Sequence, residues 1–183
     1  MLAGPNGAGK TTYYRTFLRT SGLPFINADE LVARLRLPVE EAATYVDRVR
    51  EEMLAAGESF ITETVFSDPV GAKLDFLRKA IAAGYQVELH FIGISGADLS
   101  EARVAIRVMQ GGHDVPTDRL IRRYEQSLKN LATALTFVPH VRVYDNSSPL
   151  NPYRLVLRIE NGKEVERPKP TPDWLTRSLN PDM

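Results

Sequence analysis

Gly4-Pro5-Asn6-Gly7-Ala8-Gly9-Lys10-Thr11 matches G-x-x-x-x-G-K-[ST], a pattern with a mechanical reading. Glycine has no Cβ, so the backbone can bend tightly and turn its N–H groups toward phosphate oxygens. In that arrangement Lys10 reaches the β- and γ-phosphates and Thr11 puts its hydroxyl on Mg²⁺. A helix opening at Thr11 favours the anion through its dipole. Gly4, Pro5, Asn6, Gly7, Ala8, Gly9, Lys10, Thr11 and Thr12 are the candidate nucleotide-binding residues. A glycine-rich turn that fits by accident is the competing reading. It does not call for the helix that residues 11–19 form by pattern, directly after the loop.

Working outward, a phosphate-binding loop follows a buried strand, yet only Met1-Leu2-Ala3 precede Gly4. The expectation is a truncated first strand, either stunted or cut from a longer sequence. Downstream, Phe25 to Asn27 reads as a short strand, residues 30–36 as a helix stopped by Pro38, and residues 39–56 as a longer helix. Ala42, Ala43, Val46, Val49 and Met53 share a face there at 3.6-residue spacing. Ser59 to Thr62 is the next strand, ending in Glu63-Thr64, and Pro69 to Ala83 is a helix with Leu74, Leu77 and Ile81 inward. Tyr85 to Ile94 is the strongest strand. Helices follow from Asp98 to Gln110 and from Thr117 to Leu135, with Gly111-Gly112-His113 between them. Val141 to Tyr144 is a strand, and Tyr153 to Glu160 with Glu164 to Arg167 form a hairpin turned at Asn161-Gly162. A proline-rich tail carries a short helix near Trp174.

Strands alternating with helices imply an α/β chain with a doubly wound, mostly parallel sheet, the fold of P-loop NTPases and kinases. Residues 1–150 read as the phosphate-loop domain, with a two-helix lid at about 98–135; residues 151–183 read as a hairpin and tail of the same domain. The 183 residues suit one domain. Lys plus Arg and Asp plus Glu balance at 23 each, which gives no general attraction to nucleic acid or anionic lipid. With no cysteine, disulfides, zinc-thiolate sites and cysteine nucleophiles are excluded. No apolar run has membrane-spanning length and no leader starts the chain, so a cytoplasmic enzyme without a membrane partner is expected.

Ligands of such sheets bind at the carboxyl ends of the strands, which directs attention to the residues there. Asp29 follows the second strand; phosphoryl transfer to a hydroxyl needs a carboxylate to orient the acceptor and take its proton. An N-cap is the other use of such an Asp. Glu63 could hold Mg²⁺ through water or bind substrate hydroxyls, and Thr64 beside it could bind substrate or cap a turn. Asp145, after Val141 to Tyr144, is a turn residue before it is a metal candidate. Arg103 and Arg107 share a helix face, beside the apolar line Leu99, Ala102, Ile106 and Met109. Arg119, Arg122 and Arg123 lie on the next helix, whose apolar line is Leu120, Tyr124, Leu128, Leu131 and Leu135. Two arginine-bearing helices around a Gly-Gly hinge suit a lid that closes on the γ-phosphate; solvated surface charge is the bland alternative. His113 is read as structural.

Ala3 to Thr12, Ile26-Asn-Ala-Asp-Glu30, Glu63-Thr-Val-Phe-Ser67, Arg103 to Pro116, Arg122 to Leu131 and Val143-Tyr-Asp-Asn-Ser147 together resemble the zeta toxin family of P-loop kinases, over roughly residues 2–147. The resemblance implies a kinase using ATP and Mg²⁺ on a hydroxyl of a small molecule, best known as the 3′-hydroxyl of UDP-N-acetylglucosamine. By position it makes Lys10 and Thr11 the nucleotide and metal residues, Asp29 the base, and Glu63 and Thr64 part of the substrate stretch. It puts Arg107 on the γ-phosphate. The second lid arginine has no clean match: His113 falls near its place, and Arg122 or Arg123 can supply the charge. A small helical antitoxin is the partner the resemblance implies. Three other readings compete. A transporter-type ATPase shares the loop sequence but needs a second serine-glycine signature and has no use for Asp29. An inert domain would bind nucleotide and transfer nothing. A nucleic-acid end kinase would need a basic surface.

Overall fold

β4 (Glu88–Gly93) is the centre of the fold. Leu89 and Phe91 enter one apolar cluster and Ile92 the other, so the strand is buried on both faces. That is how a parallel sheet covered by helices on both sides is built. In this computed structural model, residues 1–28, 32, 38–112 and 115–180 are described. Asp29, most of the helix expected over residues 30–36, and His113 lie outside them.

β1 (Leu2–Ala3) runs between β4 and β3 (Ile61–Thr64). β2 (Phe25–Ile26) lies outside β3, and β5 (His140–Asp145) lies on the far side of β4; these five strands are parallel. β6 (Arg154–Glu160) and β7 (Lys163–Glu166) extend the sheet antiparallel, giving the order β2-β3-β1-β4-β5-β6-β7. The expected doubly wound, mostly parallel sheet is present. The two-residue β1 is held by partners on both sides and by Met1, whose amino nitrogen donates to Glu88 O at 2.6 Å and whose carbonyl accepts from His90 N at 2.8 Å. The β6–β7 turn has Asn161 at φ 52° and Gly162 at φ 72°, the two positive angles of the expected tight hairpin.

α1 (Lys10–Tyr13) follows the loop and continues as a π-helical turn over Tyr14–Leu18 and a 3₁₀ turn over Arg19–Ser21, in place of a uniform helix. α2 (Val39–Ala55) buries Ala42, Val46 and Arg50; Ala43, expected on the same face, is exposed. Arg50 takes the inward position because polar backbone and hydroxyl groups of β3 lie beneath it. α3 (Ala72–Ala82) buries Leu74, Leu77 and Ala80. α4 (Ala97–Met109) turns only part of its apolar line inward: Leu99 packs against the core, Ser100 and Val104 are buried, and Ile106 is 51% and Met109 79% exposed. The inward face carries Ser100, Arg103, Val104 and Arg107, because α4 packs on the polar backbone of the phosphate loop and must offer it donors. α5 (Thr117–Ala134) buries Leu120, Tyr124 and Leu131 as expected.

α6 (Asp173–Leu179) ties the tail to the sheet. Trp174 packs on Phe91 and donates from Nε1 to Asp145 Oδ1 at 3.1 Å. A Cβ at Gly93 would lie 2.2 Å from the Trp174 ring, so that strand position must be glycine.

Candidate functional site

The phosphate loop leaves β1 at the carboxyl end of the sheet and opens α1. Gly9 precedes the helix at φ 90°, a left-handed angle, and a Cβ there would meet Asn146 Nδ2 at 2.7 Å and Tyr153 OH at 2.9 Å. Conformation and space both demand glycine. Gly4, Pro5, Ala8 and Lys10 are buried, Asn6, Gly7, Gly9 and Thr11 are half-buried, and Thr12 is exposed. Lys10 Nζ donates to Pro5 O at 3.0 Å, which spans the ammonium back across the loop.

The strand order places β3 directly beside β1, so Glu63 arrives next to the loop. Thr11 Oγ1 donates to Glu63 Oε2 at 3.0 Å, and Asn27 Nδ2 donates to the same oxygen at 2.9 Å. A hydroxyl and a carboxylate are hard oxygen donors, and such a pair suits Mg²⁺, which keeps several waters and takes its other ligands from substrate phosphates. Among the described residues no group of three or more His, Cys, Asp or Glu could hold a metal. Glu63 is braced from behind by Arg50. Its Nη2 donates to Glu63 O at 2.8 Å, its Nε to Thr62 Oγ1 at 2.5 Å, and its Nη1 to Asp47 Oδ1 at 2.6 Å. Burial lowers the Arg50 pKa against the pull of Asp47.

A cleft of about 960 Å³ opens beside the loop. Asn6, Asn27, Ala28, Glu63 and Thr64 are at one side, and Arg107, Arg119, Arg122 and Arg123 line it too. Arg107 and Arg123 are half-buried there; Arg122 is exposed and paired with Asp118. Thr64 Oγ1 accepts from Phe66 N at 3.1 Å, and Phe66 is fully buried at φ 63°. Asn130 of α5 holds this wall, with Nδ2 donating to Phe66 O at 2.9 Å and Asp68 O at 3.0 Å. The helix pair read as a lid is thus anchored: Tyr124 OH donates to Ile94 O at 2.9 Å, and α4 lies against the loop.

The structure therefore brings Lys10, Thr11, Glu63, Thr64, Arg107, Arg122 and Arg123 around one loop-and-cleft region; Asp29, next in the chain after the cleft-lining Ala28, lies outside the described residues. Asn27, Arg50, Ser100, Asn146 and Tyr153 were not named as site residues by sequence reasoning; Arg103, a lid arginine in that reading, bonds the phosphate loop through Gly7 O. Asn27 and Asn146 follow strands at their carboxyl ends, a position that could have flagged them. Arg50 and Ser100 are set by which helix face turns inward, and Tyr153 by the path of the β5–β6 connection.

A family model described as Zeta toxin matches residues 34–154, more than half of the chain. No curated protein matches at a significant level. A chain of the AvrRxo1-ORF1:AvrRxo1-ORF2 crystal structure with sulphate ions superposes with a TM-score of 0.72 at 15% identity, covering 100% of this chain and 63% of that chain. The complex with ATP gives 0.69 at 14%, with coverages of 100% and 63%. A structure of the PezAT chromosomal toxin–antitoxin system of Streptococcus pneumoniae gives 0.59 at 19%, covering 79% of this chain and 65% of that chain. At such identities the likeness is one of fold, and the present chain spans under two thirds of the length of each.

Proposed function

The chain belongs to the zeta toxin family, and on that premise we propose that it is an ATP- and Mg²⁺-dependent phosphotransferase moving the γ-phosphate to a hydroxyl of a small molecule, a sugar nucleotide such as UDP-N-acetylglucosamine first. The observation that carries the reading is the meeting of Thr11 and Glu63 at 3.0 Å, beside the phosphate loop and at the edge of the cleft. A gating ATPase has no need of so large a cleft beyond its phosphate site; an acceptor substrate does.

In this reading the loop N–H groups cradle the phosphates, and Lys10 turns its ammonium from Pro5 O to the β- and γ-phosphates. Thr11 and Glu63 would hold Mg²⁺, and the ion would supply charge neutralisation at the transferred group. Asp29 orients the acceptor hydroxyl and accepts its proton as the oxygen attacks phosphorus. Arg107, with Arg122 or Arg123, balances charge on the γ-phosphate oxygens. Thr64 and Glu63 bound the acceptor. A small antitoxin belongs to the same proposal, supported by the fold shared with PezAT, a toxin–antitoxin system.

The protein is incubated with γ-labelled ATP, Mg²⁺ and UDP-N-acetylglucosamine, with Asp29→Asn alongside. Label on the sugar nucleotide with wild type and none with Asp29→Asn is the expected outcome. Equal labelling by the variant removes Asp29 as base. ATP loss without labelled sugar moves the search to other hydroxyl metabolites, and no turnover removes the kinase reading in favour of nucleotide binding alone.

A further inference from the structure

Each backbone carbonyl of the loop from Pro5 to Gly9 accepts a hydrogen bond from a side chain. Lys10 serves Pro5, and four donors from outside the loop serve the rest. Ser100 Oγ donates to Asn6 O at 2.7 Å and Arg103 Nη1 to Gly7 O at 3.3 Å. Asn146 Nδ2 donates to Ala8 O at 2.9 Å and Tyr153 OH to Gly9 O at 2.9 Å. The donors are themselves interlocked. Arg103 Nη2 donates to Asn146 O at 2.9 Å, and Tyr153 N donates to Asn146 Oδ1 at 3.4 Å. Ser100 and Arg103 come from the loop-facing side of α4; Asn146 and Tyr153 bracket the β5–β6 connection. Tyr153 sits at φ 53°, a left-handed angle uncommon for a tyrosine.

The carbonyl and N–H of a peptide unit point in opposite directions. Fixing a carbonyl therefore fixes where the next N–H points. A loop of small residues with loose carbonyls can flip a peptide and show an oxygen to an anion. We propose that Ser100, Arg103, Asn146 and Tyr153 are positioning residues that hold the loop in its anion-receptive form. Nucleotide affinity then depends on α4 and the β5–β6 connection acting through the loop backbone. The inference rests on the phosphate-loop reading above.

ATP with Mg²⁺ is titrated by calorimetry into wild type, Tyr153→Phe, Ser100→Ala, Arg103→Met, Arg103→Lys and Lys10→Ala, and each thermal midpoint is measured. Tyr153→Phe, Ser100→Ala and Arg103→Met are expected to weaken ATP about three- to tenfold each, the effect of one lost hydrogen bond, with midpoints within about 3 °C of wild type. Arg103→Lys, which can still donate to Gly7 O, is expected to recover part of the loss. If the three variants bind ATP within twofold of wild type while Lys10→Ala loses it, the inference falls and the phosphate-loop reading stands. If Lys10→Ala binds as wild type, the phosphate-loop reading falls and takes the inference with it. Affinity that drops only together with the thermal midpoint, without recovery in Arg103→Lys, reduces the four residues to ordinary packing and overturns the proposal.

Discussion

At the scale of single residues, the site depends on positions where chemistry and space agree. Gly9 is held at a left-handed angle with Asn146 and Tyr153 against the place a Cβ would occupy. Gly9→Ala is expected to cost about 1–3 kcal/mol in stability from backbone strain alone, read by denaturant unfolding. The larger loss should be in ATP affinity, by more than about tenfold, since the loop must shift to relieve the contact. Wild-type ATP affinity in that variant would separate the loop's conformation from its binding. Arg50 makes a complementary point. A charged residue at an apolar period reads as surface, yet here its guanidinium is buried with three bonding partners and fixes the backbone of Glu63. A buried cation needs such partners to be tolerated.

At the scale of elements, helices here are positioned by what lies beneath them. α4 exposes Ile106 and Met109 and buries Ser100 because its seat is a loop whose carbonyls accept from its side chains. α6 is a short helix, too short to persist alone, and stands because Trp174 and Leu175 are buried in the core that Phe91 and Val143 share. Trp174→Ala is expected to destabilise the fold by about 3–5 kcal/mol. For a chain of this size that lowers the thermal midpoint by roughly 6–20 °C, measurable by calorimetry. A shift under about 2 °C would mean that the tail does not close the core.

At the scale of the whole molecule, stability should carry a pH signature from the middle of the sheet. His90 of β4 is 8% exposed, with Nδ1 3.0 Å from Tyr13 OH. Burial first, and the charge the amino terminus takes up at acid pH second, push its pKa down from 6.5 to about 4. Glu88 Oε2 lies 3.3 Å from Nε2 but is half-exposed and engaged by Arg142, so it does not offset the burial. The unfolded chain binds the proton more readily between those values. This contribution is therefore full above pH 6.5 and is lost as pH falls toward 4, to a limit of about 3 kcal/mol. Unfolding free energies at pH 7 and pH 4.5 should show that loss in wild type on top of the one from the buried Met1 amine, whose pKa is lowered to about 5, and His90→Gln should retain the amine's share alone. Equal slopes in both would place the acid sensitivity in other groups.

The sequence by itself determined the phosphate loop, the strand–helix alternation, the parallel sheet and the hairpin turn at Asn161-Gly162. Each of these is written locally: fixed spacings of Gly and Lys, a period of two or 3.6, two residues able to take positive φ. It also delivered Lys10, Thr11 and Glu63 as candidates, because strand ends are visible along a chain. The tertiary structure decided which residues meet. The strand order puts Glu63 beside Thr11 across 52 positions of sequence and Tyr153 against Gly9 across 144. It also turned α4 so that its donors meet the loop, leaving Ile106 and Met109 of its apolar line exposed. The physical reason is that local pattern reports what a segment can bury, whereas an inward face is set by what its partner demands, and here the partner is a row of backbone carbonyls that had to be hydrogen-bonded.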